Sequence, residues 1–126
     1  MAWQDLWLVI YSAITLIAFY VIAQRFFSLR PYVEALDLDQ TEGRIKNNVA
    51  LLMDVRTHRE WDNGVIKGSL LMTHDQLDVP DTEEPIICIC NSGIRAQKAA
   101  EELKRMGVSK VSFMAGTYKN LAQRLE

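Results

Sequence analysis

Residues 86–100 read IICICNSGIRAQKAA, an apolar run holding two cysteines, followed by Asn91, Ser92 and Gly93 and then the start of a helix. Ile86 to Cys90 has the length and unbroken apolar character of a strand covered on both faces. Beyond it, Ala96, Ala99, Ala100, Leu103 and Met106 recur at three- and four-residue spacing, while Lys98, Glu101, Glu102, Lys104 and Arg105 occupy the remaining surface. That is an amphipathic helix, with Gly107 as its expected stop. Cys90 therefore falls at the carboxyl end of a strand, where ligands and chemistry collect in an open α/β sheet. The amides of a helix's first turn lack intrahelical partners, so those of Asn91 to Arg95 are expected to face an anionic sulfur, with the Arg95 guanidinium nearby. A free thiol titrates near ~8.5, and such surroundings favour the thiolate at neutral pH. Alternation puts Cys88 on the same face but inside the apolar run, which reads as a buried structural thiol. For Cys90 the loop alone leaves a structural and a reactive role both open.

Upstream, Asp39 and Glu42 have capping-box spacing and predict a short helix to about Asn47. VALLMDV, residues 49–55, is a second buried strand, and Thr57 with Glu60 repeats the capping spacing ahead of a one-to-two-turn helix ending at Gly64. Leu70 to Met72 reads as a short strand, and Asp78, Pro80, Asp81 and Pro85 mark a loop. Lys110 to Met114 makes a last strand and Thr117 to Glu126 a closing helix. Short apolar strands alternating with amphipathic helices imply parallel crossovers, hence an α/β sheet with helices on both faces.

The N-terminal region has another character. LWLVIYSAITLIAFYVIA, residues 6–23, runs eighteen residues without a charge. As a helix it is about 27 Å long, close to the hydrocarbon thickness of a bilayer. Trp3 and Trp7 at one end, and Tyr20, Phe26 and Phe27 at the other, suit aromatic belts. Arg25, Arg30, Arg44 and Lys46 follow the span and none precedes it, so the C-terminal part is expected in the cytosol as the globular end of a single-pass membrane protein. The expected organisation is a short segment at 1–5, a transmembrane helix at 6–23, a linker at 24–36 broken by Pro31, and a folded domain at 37–126. A cleaved signal peptide is the rival, since Val21-Ile22-Ala23 resembles a cleavage site; the uncharged start and the long apolar stretch speak against it.

A net charge of -2 on 126 residues gives no broad attraction to nucleic acid, and none is expected as a partner. Two cysteines one residue apart build neither a disulfide framework nor a four-ligand zinc site. His58 and His74 have no ligand-spaced partners, so no metal is expected, and without a dinucleotide or phosphate-loop signature no cofactor is expected either. Trp61 reads as a core cover on its short helix.

Several of these stretches together resemble rhodanese domains. LLMDVRTHREWDNGVIKGS, residues 51–69, is similar to that family's Asp-Val-Arg segment, short helix and Gly-x-Ile-x-Gly turn. Cys90-Asn91-Ser92-Gly93-Ile94-Arg95 resembles its six-residue active loop, and Val111 to Gly116 its closing strand and glycine turn. The resemblance covers residues 37–126 and implies a rhodanese-like parallel sheet of about four to five strands. It implies that Cys90 is a catalytic nucleophile that takes sulfur from a donor such as thiosulfate, holds it as a persulfide, and passes it to a thiol or protein acceptor. Arg95 then neutralises the donor or holds the loop, the amides of Asn91, Ser92, Gly93, Ile94 and Arg95 bind substrate, and Asp54 and Arg56 tie strand ends together near the site. Four residues separate Cys90 from Arg95, one fewer than in related phosphatase and arsenate-reductase loops, which favours sulfur over phosphoryl transfer. Val65 and Lys67 replace the family's usual His and Pro, and Ala115-Gly116-Thr117-Tyr118 its closing glycine pattern, which alters the acceptor pocket. Two function classes stay open: a membrane-tethered sulfurtransferase, and a tethered interaction or redox-responsive module that recruits a membrane protein partner. Reduction of another oxidised thiol is a weaker third.

Overall fold

The computed structural model describes residues 2–28 and 30–126. Met1 and Leu29, which fall in the expected N-terminal segment and linker, lie outside the described residues, as do the side chains of Phe27, assigned above to an aromatic belt, and Ser28. The chain divides after Pro31 into two units.

The first unit is one helix, α1, Trp3–Ser28, whose stretch Trp3–Phe26 is long and apolar enough to cross a membrane. It continues past both ends of the expected span at 6–23. Asp5 lies in its first turn and Arg25 in its last, signs that complement the helix dipole and let the polar flanks stay helical. Inside the apolar stretch Ser12 Oγ donates to the Val9 carbonyl and Thr15 Oγ1 to the Tyr11 carbonyl, each at 2.8 Å. Both hydroxyls are thus satisfied within the helix.

The second unit, Tyr32–Glu126, runs β1 (Glu34–Leu36), α2 (Leu38–Lys46), β2 (Leu51–Asp54), α3 (His58–Asp62), β3 (Leu70–Leu71), β4 (Ile86–Ile89), α4 (Ile94–Arg105), β5 (Val111–Met114) and α5 (Tyr118–Leu125). All pairings are parallel and the order is β1-β5-β4-β2-β3. The five-stranded parallel α/β sheet is the expected one. Its edge strand β1 lies within the stretch read as linker. Of its three residues only Leu36 is buried, too little for a periodic signal.

Each face of the sheet has its own core. On one, Met53, Val55, Cys88, Cys90 and Phe113 pack against Ala96, Ala99, Ala100 and Leu103 of α4. On the other, Leu52, Ile87, Ile89 and Met114 meet Leu121 of α5, with Ile45 of α2 beside them. The three alanines of α4 bring its backbone close to the sheet, which fixes where its first turn sits relative to the end of β4.

The start of α2 differs from expectation. The capping box is Asp37 with Gln40: the Gln40 amide donates to Asp37 Oδ1 at 2.7 Å and the Asp37 amide to Gln40 Oε1 at 3.0 Å. Asp39 and Glu42, two positions on, instead accept hydrogen bonds from Arg124 and tie α2 to α5. The Thr57–Glu60 box stands as read.

Candidate active site

Cys90 follows β4 directly, and the chain turns through Asn91, Ser92 and Gly93 into α4. Gly93 has φ +90°, the left-handed region that favours glycine, and a Cβ there would lie 3.1 Å from the Met114 carbonyl oxygen and 3.3 Å from Ala115 Cα. The turn is therefore pressed against the end of β5. Its tightness points amides back at the sulfur: Gly93 N–H donates to Cys90 Sγ at 3.0 Å and Ala96 N–H at 3.3 Å. Of the amides from Asn91 to Arg95, Gly93's is the one hydrogen-bonded to sulfur among the described residues. The second donor, Ala96, is the third residue of α4 after its cap, one of the positions whose N–H has no helical partner. Cys90 itself is fully buried beneath the loop. So is Cys88, whose thiol burial pushes up to about 12, with the neighbouring Cys90 adding to the shift. Cys88 is a packing residue.

Arg95 does not stand alone. Its NH1 donates to Glu60 Oε1 at 2.6 Å and its NH2 to Glu60 Oε2 at 3.1 Å, a two-pronged pair between the first turn of α4 and α3. Asn91 Nδ2 also donates to Glu60 Oε2. The other oxygen accepts from the Thr57 amide at 3.2 Å and hydroxyl at 3.0 Å. Glu60 thus caps α3 and clasps the cysteine loop at both ends. The Arg95 hydrogen bonds, against the opposing effect of burial and with help from Thr57, hold its carboxyl down to about 2. The same contact raises Arg95 above its ordinary value. Sequence reading assigned Glu60 only its local capping; its reach to residues 31 and 35 positions away is tertiary.

Asp54 and Arg56, at and just after the end of β2, form a buried pair of their own. Arg56 Nε donates to Asp54 Oδ1 at 2.9 Å and NH2 to Oδ2 at 2.8 Å, with both side chains buried. Arg56 NH2 also donates to the Gly64 carbonyl at 2.8 Å, and its guanidinium lies 3.5 Å from the ring centre of Tyr118. The end of β2, the Gly64 turn and the start of α5 are thereby tied together.

The surroundings are mixed. Asn91, Ser92 and Ile94 form the exposed rim of the loop. A hollow of about 590 Å³ beside α4 is lined by Arg95, Lys98, His74, Asp75 and Glu101 among others, and Cys90 is not in its lining. Val65 and Lys67 line a separate hollow with Tyr118 and Leu125. His58 stacks edge-on against Trp61, whose buried Nε1 has no hydrogen-bond partner among the described residues.

Comparisons with known proteins bear on the family and the fold. The sequence profile of the family described as rhodanese-like domain matches residues 37–124. The uncharacterized protein YqhL of Bacillus subtilis (strain 168) is 27% identical over 125 residues, 94% of this chain and 93% of that protein. The human single-domain sulfurtransferase superposes with TM-score 0.62 at 20% identity, covering 73% of this chain and 97% of its own. A Rhodopseudomonas palustris protein described as a possible tyrosine phosphatase superposes with TM-score 0.63 at 21% identity, over 72% of this chain and 80% of that one. At these identities the two structures speak for the fold.

Proposed function

The chain belongs to the rhodanese-like domain family, and on that premise we propose that it is a membrane-anchored sulfurtransferase that carries sulfane sulfur on Cys90. One observation bears most of the weight: two backbone amides, at 3.0 and 3.3 Å, are aimed at a single sulfur. Donors so placed stabilise negative charge on that atom in the thiolate, the form that attacks the donor and is regenerated on transfer. In the first half-reaction the Cys90 thiolate attacks the outer sulfur of a donor such as thiosulfate. The donor's S–S bond breaks and sulfite leaves with the electron pair. In the second, a thiol or protein acceptor attacks the outer persulfide sulfur and the Cys90 thiolate is regenerated. Arg95 and the amides of Asn91, Ser92, Gly93 and Ile94 frame the site of exchange. Cys90 is buried, so donor and acceptor must reach it past the exposed rim formed by Asn91, Ser92 and Ile94.

The name of the human relative supports sulfur transfer, and so does the short interval of four residues between Cys90 and Arg95. For the anchor, the support is a stretch of 24 residues in α1, Trp3–Phe26, none of it buried, with Arg25 and Arg30 at and beyond its C-terminal end, which favour a cytosolic C-terminal domain. The burial of Cys90 favours the second reading, a tethered module that recruits a membrane partner and turns over little sulfur.

The test uses the full chain. The protein is expected to sediment with membranes and, once extracted in detergent, to form thiocyanate from thiosulfate and cyanide, while Cys90→Ser forms none. A soluble product cleaved after Ala23 contradicts the anchor. Equal thiocyanate from wild type and Cys90→Ser contradicts the chemistry.

A further inference from the structure

The polar side chains of α1 are unevenly placed around it. Gln4, Leu8, Tyr11, Thr15, Ala18 and Ile22 follow one another at alternating spacings of four and three residues, a period of about 3.5 that winds two helices into a left-handed pair. All of them are exposed. Off this seam, Tyr20 accepts a hydrogen bond from Gln24 Nε2 at 2.8 Å and Ser12 donates to the Val9 carbonyl, so the helix satisfies them itself. On the seam, Thr15 donates its proton to the Tyr11 carbonyl, and neither the Gln4 amide nor the Tyr11 hydroxyl has a hydrogen-bond partner among the described residues. Tyr11 is the demanding one. The stretch Trp3–Phe26 is about 36 Å long against about 30 Å of hydrocarbon, which sets the Tyr11 backbone about 9 Å inside the boundary when the stretch is centred. That is further than a tyrosine side chain reaches, and an unpaired hydroxyl in hydrocarbon is unfavourable.

We propose that α1 pairs in parallel with α1 of a second copy of this chain through that seam. The inference rests on the anchor reading and on no part of the sulfur chemistry. Copies inserted with the same orientation are parallel, so in a two-stranded seam each residue faces its own counterpart. A foreign helix would have to carry donors and acceptors at the same levels; a second copy carries them by identity. A hydroxyl both donates and accepts, so one Tyr11 O–H donates to the oxygen of the other, and the Gln4 amides, which also donate and accept, meet at the outer end. Ala18, with a single methyl, lets the two backbones approach, and Leu8 and Ile22 fill layers between. No charge interrupts the seam from Gln4 to Ile22. The next position, Arg25, lies at the end of the stretch, where water screens it.

Cross-linking in membranes that hold the full chain tests the seam. In the Cys90→Ser background, Leu8→Cys, Thr15→Cys, Ala18→Cys and Ile22→Cys are each expected to give a disulfide-linked dimer on oxidation. Val9→Cys, Ala13→Cys, Leu16→Cys and Tyr20→Cys, on the opposite face, are expected to give little. Energy transfer between donor- and acceptor-labelled full chains in phosphatidylcholine vesicles measures the strength of the pair. Tyr11→Phe is expected to raise the protein-to-lipid ratio at which half the chains are paired by about three- to tenfold, the size of one hydrogen bond between membrane helices. Tyr20→Phe, which removes a hydroxyl already bonded within its own helix, leaves that ratio unchanged. Equal cross-linking all round the helix, or equal effects of the two phenylalanine substitutions, overturns the pairing. So does a seam that cross-links only to another protein. A chain that a carbonate wash strips from the membrane loses the anchor and the pairing together, whereas one that stays bound yet shows no energy transfer loses the pairing alone.

Discussion

A side chain at Gly93 has no room. The Met114 carbonyl and Ala115 Cα already lie at 3.1 and 3.3 Å from where its Cβ would be, and φ is +90°. Gly93→Ala must therefore push the turn away from β5, and the first contact to lengthen is the amide at 3.0 Å from Cys90 Sγ. Removing one such donor costs about a hundredfold in rate where charge develops on the acceptor atom. The expected outcome is transfer from the Cys90 persulfide to a thiol acceptor slowed by about that factor in stopped-flow mixing, since that half-reaction returns charge to the sulfur, while the Arg95–Glu60 pair persists; an unchanged rate means the amide is idle. The cysteine and its glycine turn were legible in sequence because strand, turn and helix follow in eight residues. Ala96 was countable too, as the third helical residue, whose amide is unpaired by rule. Glu60 was not legible as a clasp: its local pattern, a threonine three residues earlier, is fully explained by capping.

At the scale of elements, the buried Asp54–Arg56 pair joins β2 to the Gly64 turn and, through the Tyr118 ring, to α5. Removing the cation leaves a buried carboxylate with its strongest partner gone, a loss of about 3–5 kcal/mol. Arg56→Met is expected to lower stability by that amount in urea titration of the detergent-solubilised protein, followed by thiol-reagent access to Cys88, which is inert while folded. A change below about 1 kcal/mol, the worth of an exposed pair, contradicts the role. Elements with apolar periodicity were readable from sequence: β2, β4, β5 and α4 lie within a residue or two of expectation. The failures have local causes. β1 buries a single side chain, Leu36, and α2 offers two overlapping sets of acidic capping residues, of which Asp37 wins because Asp39 and Glu42 are drawn to Arg124.

At the scale of the whole molecule, two kinds of hydrophobicity divide the chain. Among the described residues, the apolar side chains of α1 stay exposed, whereas in the second unit they alternate across a parallel sheet and vanish into two cores. That division was visible in composition alone, since a run of uncharged residues and a set of short strands cannot satisfy the same solvent. The sheet then delivers one sulfur, at the end of β4, to the amides of Gly93 in the turn and Ala96 in α4. The account stands on that sulfur accepting another. Intact-mass measurement of the full chain after incubation with a sulfane donor should show a gain of about 32 daltons, mapped to Cys90, reversed by cyanide and missing in Cys90→Ser. A gain on Cys88, or no gain with any sulfane donor, would contradict it.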